Sequence, residues 1–319
     1  MKRMSSIVIA GLLVAIVAAC TGPSGGLGQV PSPIPTGSSA PGGPDLTPTP
    51  SDPTPSEEPG STPTTTPTPS GSPSATTIVR AYFVLGGDQR STGLVPVLRV
   101  IPETTAVATA AMNAVLSGPS ASESGDKVSS AIPSGSRLLG LTIRNGIATV
   151  DLSTEFDSGG GSASMQYRLA QVVYTLTQFS TVKSVIFQVE GQTVTVFGGE
   201  GIVLDGPVGR ADFTDQLPSV FVDRPAFGAA FASGGHVTGN ADVFEAAFLI
   251  AVLDGSGKKL ADEQVMATCG TGCRGTFDVT IQYTVSKAQW GTLRAYNLSA
   301  KDGSVEDVRD YPVWLTPAN

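Results

Sequence analysis

Residues 21–75 cannot build a folded core, and this constrains everything else in the 319-residue chain. They hold 15 of its 24 prolines, and Ser, Thr and Gly supply most of the rest, in stretches such as TPTPSDPTPS and STPTTTPTPS. Proline has no amide hydrogen to give a helix or a sheet, and short hydroxyl side chains bring little apolar surface to bury. Such a segment cannot offset the entropy of ordering itself, so a disordered linker of polyproline II character is expected. Its reach would be about 170 Å fully extended, at ~3.1 Å per residue, and nearer ~40 Å as a coil. Beyond it lie residues 76–319, enough for one large or two ordinary domains.

The segment before the linker ends on a thiol. Residues 1–6 carry Lys2 and Arg3 and no acid, and 7–19 is an unbroken run of apolar or small residues that stops at Cys20. The run is too short for a membrane-spanning helix, which needs about 20 residues, but it suits the hydrophobic region of a secretory signal. Val17, Ala18, Ala19 and Cys20 together resemble the lipobox of bacterial lipoproteins. The resemblance implies a signal peptide over 1–19, cleavage before Cys20, and lipid attachment to the Cys20 thiol and the new amino terminus. Residues 20–75 would then form a lipid-anchored linker. Each buried methylene contributes roughly 0.8 kcal/mol, so several acyl chains hold a protein at a bilayer where one does not. The expected location is the extracytoplasmic face of the cell membrane, with the membrane itself a partner through the anchor.

Charge and residue counts narrow the chemistry. The chain has 19 basic and 27 acidic residues; removing 1–19 takes away Lys2 and Arg3 and leaves 17 against 27, or −10. An acidic surface without a basic run argues against nucleic acid and against anionic lipid as direct partners. The single histidine, His236, stands in SGGHVTGN at the start of a strand after a loop. A multi-histidine metal site is therefore impossible, and any histidine-based nucleophilic triad would have to use His236. Neither a cofactor nor a metal site is expected, and no residue is assigned a catalytic role.

Residues 76–215 alternate between strand and helix periods. TTIVRAYFVLGG is apolar on both faces and reads as a buried strand, and LVPVLRVIP as a shorter one that Pro96 places at an edge. Val107, Ala110, Ala111, Ala114 and Val115 mark a helical stripe that Gly118-Pro119 stops. Asn145-Gly146 between two alternating runs is a strong hairpin signal. Met165, Leu169, Val172, Val173 and Leu176 mark a second helix, with Gln166, Gln171 and Gln178 off its apolar face, and VKSVIFQVEGQTVTVFGG closes as a hairpin. The sum is an α+β domain, its helices packed on one mixed sheet.

VRAYFV, AAMNAVLSGPS, IPSGSRLLGLTIRNGIATVDLS and LAQVVYTLTQFSTVKSVIFQVEG together resemble the GerMN module of sporulation and spore germination proteins. The resemblance implies that module's fold over 76–215 and carries no catalytic residues with it. Asp151, Ser153, Glu155 and Asp157 in VDLSTEFDSGGG could suggest a cation site or an acid pair. Their spacing matches no metal loop, so Asp151 and Ser153 are read as capping a strand exit, with Glu155 and Asp157 facing water. Thr175, Thr177 and Gln178 are read as packing or hydrogen-bonding residues.

Helical periodicity disappears over 216–319. Phe277, Val279, Ile281, Tyr283 and Val285 alternate with Asp278, Thr280, Gln282 and Thr284 as in a half-solvated antiparallel strand. Residues 244–253 read as a central strand, and DGSG (254–257) and KDGS (301–304) as hairpin turns. Roughly seven strands argue a β-sandwich. VTGNADVFEAAFLIAVLDGSG, GTFDVTIQY and LSAKDGSVEDV resemble the immunoglobulin-like domain found after GerMN modules in bacterial surface proteins. Cys269 and Cys273, an even pair in an exported chain, read as a disulfide; the alternative, half of a zinc site, has no second cluster to complete it.

Both domain types bind rather than catalyse. The expected function is a non-catalytic, tethered binding or scaffold lipoprotein of the cell envelope, whose partner is an envelope protein or cell-wall polymer. The alternatives are a peptidoglycan hydrolase using a carboxylate pair and, by analogy of fold, a subunit of a ring-forming envelope complex.

Overall fold

The computed structural model describes residues 75–87, 90–199 and 201–318. The signal peptide, Cys20 and, but for Ala75, the linker expected over 20–75 lie outside the described residues. All described residues belong to one compact unit.

The first domain begins with β1 (Thr76–Leu85) and β2 (Gly93–Pro102), paired antiparallel from Thr76↔Pro102 to Leu85↔Gly93. Next come α1 (Val107–Leu116), the short α2 (Ala121–Gly125) and β3 (Val128–Ser129). Gly118, at φ +77°, turns the chain out of α1 as its place before Pro119 implied. The hairpin β4 (Leu138–Arg144) and β5 (Ile147–Leu152) closes through Asn145 and Gly146, both at positive φ, as a type I′ turn requires. Then follow α3 (Ser162–Leu176), β6 (Ser184–Val189), β7 (Gln192–Thr193), and the small pair β8 (Val196–Phe197) and β9 (Ile202–Val203). β5 and β6 run parallel, which demands a crossover, and α3 supplies it.

The α+β class and the mixed sheet are as expected, but the strands are shared between sheets. One has the order β2-β1-β3, with β2 at its edge as Pro96 indicated, and the mixed one β4-β5-β6-β7. The reason lies in α3. Along β1, only Val84 and Leu85 pair with β3, which leaves residues 80–82 with backbone groups facing the helix. Three polar side chains on one stripe of α3 and its C-terminal turn meet them. Gln171 donates to the Tyr82 carbonyl at 3.0 Å and accepts from the Ala131 amide at 2.7 Å; Thr175 accepts from the Tyr82 amide at 3.1 Å. Gln178 accepts from the Arg80 amide at 2.8 Å and donates to its carbonyl at 2.7 Å. The helix thus pairs an open strand edge that would otherwise bury unsatisfied groups. Gln171, expected off the apolar face, is fully buried for this reason.

The second domain has eight strands among the described residues: β10 (Val220–Arg224), β11 (Ala230–Ala232), β12 (Gly235–Ala241), β13 (Ala247–Asp254), β14 (Lys259–Met266), β15 (Gly275–Ile281), β16 (Gln289–Leu298) and β17 (Val305–Thr316). They form two sheets, β10-β12-β15 and β11-β17-β16-β13-β14, with the aromatic pair Phe248–Phe277 bridging them at 4.9 Å. Asp254 and Asp302 close the two expected hairpin turns by accepting from Ser256 and Ser304. The central strand starts later than expected. Phe244–Ala246 is a tight turn with Glu245 and Ala246 at positive φ, which throws Phe244 out to solvent.

The α3 ladder makes a direct prediction. Gln171→Leu keeps the burial but strands the Tyr82 carbonyl and the Ala131 amide, so it should cost about 2–4 kcal/mol in urea unfolding. Gln166→Leu, one turn away and half-buried, should stay within about 0.5 kcal/mol. Equal effects would remove the ladder as the reason for the buried glutamine.

Candidate functional site

One apolar core runs without a break through both domains, from Ala81 and Phe83 through Phe221 and Phe227 to Val313 and Leu315. Tyr174 of α3 meets Phe221 of β10 edge-on at 6.1 Å, and the Phe227 amide donates to the Pro96 carbonyl at 2.9 Å. A Cβ on Gly93 would lie within 3 Å of Pro218 and of the Gln216 carbonyl, so the close approach of β2 to the interdomain connector requires glycine there.

Two arginines fix this seam. Arg309 of β17 is 3% exposed, and its guanidinium reaches the first domain. It donates to the main-chain carbonyls of Leu85, Ser91, Gly93 (3.1 Å) and Leu94 (2.7 Å). Its Nε donates to the Tyr311 hydroxyl at 2.7 Å, which also accepts from the Val222 amide. These five bonds match the five donors of a guanidinium, so the buried charge is solvated by carbonyl dipoles.

Arg210, which opens the kinked 3₁₀ segment Arg210–Gln216 of the connector, organises the other side. It donates to the Tyr82 hydroxyl (3.3 Å) and to Thr177 Oγ1 (2.9 Å), and lies over the Tyr174 ring at 4.6 Å. Tyr82 in turn donates to Asp223 of β10 at 2.6 Å, and Arg80 pairs with the same carboxylate at 3.4 Å. Burial, and next the Asp223 charge, push the Tyr82 phenol far above its ordinary range; burial takes Tyr174 up to about 12. Burial opposes the charge on Arg210, but Tyr82 and Asp223 outweigh it and leave its pKa raised. These groups are therefore held in fixed protonation states near neutral pH, as structural fasteners.

Beside this knot a cavity of about 480 Å³ opens between the domains. Leu98, Pro225 and Phe231 give it apolar walls, while Arg80, Arg224 and Asp223 bring charge. Arg80 and Asp223 are paired to each other; Arg224 is exposed and makes no ion pair among the described residues. Ile78, in the cavity lining, and its cross-strand partner Val100 are 62% and 67% exposed. The second domain reaches along β1 as far as Arg80, through Asp223, and leaves the Ile78–Val100 pair open. Apolar exposure beside a concave site at a domain boundary is where ligands bind.

A family model described as sporulation and spore germination, Germane, matches residues 80–195. A second, the immunoglobulin-like domain of bacterial spore germination, Gmad2, matches residues 219–304. The chain carries a Germane domain followed by a Gmad2 domain. Among solved structures, the first GerMN domain of the sporulation protein GerM from Bacillus subtilis is 21% identical, covering 43% of this chain and 99% of its own, with a TM-score of 0.37. The tandem GerMN domains of the same protein are 14% identical, covering 67% and 64%, at a TM-score of 0.37. A lipoprotein from Clostridium perfringens is 20% identical, covering 44% and 93%, at 0.32. No curated protein matches the chain.

Of the residues singled out from sequence, Gln178 and His236 line this cavity and the others lie elsewhere. In the Germane domain Asp151 accepts from the Gly191 amide and Ser153 from the Arg137 amide, so both cap backbone. Asp157, expected to face water, instead accepts from the Gly198 amide at 2.8 Å beside the buried Arg168. Glu155 is half-buried, its carboxylate 4.0 Å from Arg137. Thr177 accepts from Arg210 at the seam, and Gln178 holds the Arg80 main chain at the cavity wall. In the Gmad2 domain His236 touches the cavity edge, and its ring pairs with Asp278 at 2.6 Å on the surface. Cys269 and Cys273 are joined, their Cα atoms 5.8 Å apart, inside the usual disulfide span. Among the described residues there is no cluster of three metal-ligating side chains.

Arg80, Asp223, Arg224 and Arg309 escaped the sequence reading. A signal existed for Arg309: it alternates in register with Tyr311, Val313 and Leu315, the inward residues of β17. Arg309→Met should leave its carbonyls without donors and cost about 3–5 kcal/mol in urea unfolding. Arg309→Lys, with charge kept and three donors, should lose less. A Met variant as stable as wild type would show that the seam does not depend on the guanidinium.

Proposed function

We propose that this Germane–Gmad2 chain is a non-catalytic, lipid-anchored binding protein of the cell envelope, working in sporulation, germination or a related envelope process. Its ligand is an extended segment of an envelope protein that carries acidic and apolar side chains. The observation that carries the reading is the interdomain cavity. Among the described residues its one charge without an ion pair is the Arg224 guanidinium, in a chain of net charge −8, and beside it lies the exposed Ile78–Val100 pair. A cation over an apolar floor suits a carboxylate beside an aliphatic side chain. The cavity carboxylate, Asp223, is held by Tyr82 and Arg80, an arrangement suited to bracing and not to proton transfer.

The tether supports the same reading. Anchoring at Cys20 confines the domains near the membrane, and confinement raises the effective concentration of a fixed partner, so a weak intrinsic affinity suffices. A photoreactive residue at position 78 of the full chain in cells should give a discrete cross-linked species. Arg224→Gln should reduce its yield at least tenfold with the chain still at the membrane. Cys20→Ser should release the chain from the membrane fraction and lose the species. Unchanged cross-linking in Arg224→Gln would contradict the proposed ligand. Hydrolysis of purified wall polymer by the chain, lost on replacing one Asp or Glu, would replace it with an enzymatic function.

A further inference from the structure

The chain has two tryptophans, and both lie on the outer face of the five-stranded Gmad2 sheet. Trp290 and Trp314 are cross-strand partners, 55% and 37% exposed, with ring centroids 5.3 Å apart at 73°. Exposing the two largest apolar side chains side by side wastes the burial that their area would otherwise bring, which marks a surface used for binding.

What the pair sits on says what it binds. The next outward row along β16 and β17 is Thr292 with Pro312, and the one after it Arg294 with Asp310. Two residues of strand advance about 6.7 Å, so the three rows make a strip of about 13 Å. The strip does not end there. Asp310 and Pro312 also line a cavity of about 680 Å³, closed on its far side by Gly86, Gly87, Asp126 and Lys127 of the Germane domain. The result is an aromatic platform leading into a polar groove.

Its charges cancel. Arg294 and Asp310 form a two-bond pair at 2.7 Å each, and Asp126 stands next to Lys127 in sequence, so the solvent-facing charges of strip and groove number two of each sign. Arg309, at the cavity's inner wall, has all its donors on carbonyls and the Tyr311 hydroxyl. A charged polymer gains nothing from such a surface, and nucleic acid would also face a net acidic chain. A wholly apolar partner would bury the ion pair at a desolvation cost. An uncharged sugar polymer satisfies both halves: ring C–H faces lie on the indoles and hydroxyls bond to the hydrated polar row.

We propose that the strip from Trp290 and Trp314 to Asp310 is a binding site for an uncharged polysaccharide of the cell wall. The site is separate from the Arg224 cavity, so the two proposals stand or fall independently. Both tryptophans report on it. Titrating the chain from residue 20 onward, with Cys20→Ser, with chitotetraose should give a saturable blue shift and quenching of tryptophan emission. Raising salt from 20 to 500 mM should change the affinity less than twofold, because the strip is neutral.

By calorimetric titration Trp290→Ala and Trp314→Ala should each weaken binding at least tenfold, and Trp→Phe at either position by less. Arg224→Gln should leave it unchanged. Circular dichroism melting of the variants should match wild type, since both side chains are exposed; where an alanine variant melts early, the phenylalanine pair decides the question. Emission unmoved by millimolar chitotetraose would overturn the proposal, as would equal affinity in the alanine variants. An emission shift that follows protein concentration and dimer formation without sugar would assign the strip to a second copy of the chain instead.

Discussion

Arg309 carries a full positive charge into the seam between two domains, and the arrangement of both follows from how that charge is kept satisfied. Removing a guanidinium from water costs several kcal/mol unless its donors are all engaged. Here the acceptors are main-chain carbonyls at the end of β1 and the start of β2, together with the hydroxyl of Tyr311. Carbonyls belong to the backbone, so the two sheets cannot shift against each other without breaking several bonds to one buried cation. The continuous apolar core around it makes the same demand through packing.

Rigidity at the seam is what gives the molecule binding surfaces. The cavity beside Asp223 and the groove beside Asp310 each take walls from both domains, so their shapes exist only while the domains hold one relation. Preformed walls spare a ligand the entropy of ordering them. The two surfaces are complementary in chemistry. One offers an unpaired cation over an apolar floor, the other an aromatic pair over compensated charges.

Much of the fold was legible because it rests on local rules. Asn145-Gly146 announced a hairpin, Gly118-Pro119 a helix end, and the alternation through Phe277 and Ile281 a half-buried strand, each from backbone sterics or the period of side-chain burial. Two of the exceptions share one physical cause, polar groups buried against backbone. Gln171 reads as solvent-facing because a glutamine on a helix usually is, yet its partners are amide and carbonyl groups about 40 and 90 residues away in sequence. Asp157 reads as exposed until the Gly198 amide is brought to it. The candidate site was hidden for a different reason: Arg80, Asp223 and Arg224 acquire meaning only when β1 and β10 are brought together by the fold.

The central claim is that the Germane and Gmad2 domains form a single cooperative body. Differential scanning calorimetry of the wild-type chain tests it most directly, because a shared core and a shared buried charge leave no domain able to unfold alone. The account predicts one transition whose calorimetric and van't Hoff enthalpies agree. Two resolved transitions, or a van't Hoff enthalpy only about half the calorimetric one, the size of a single domain, would contradict it.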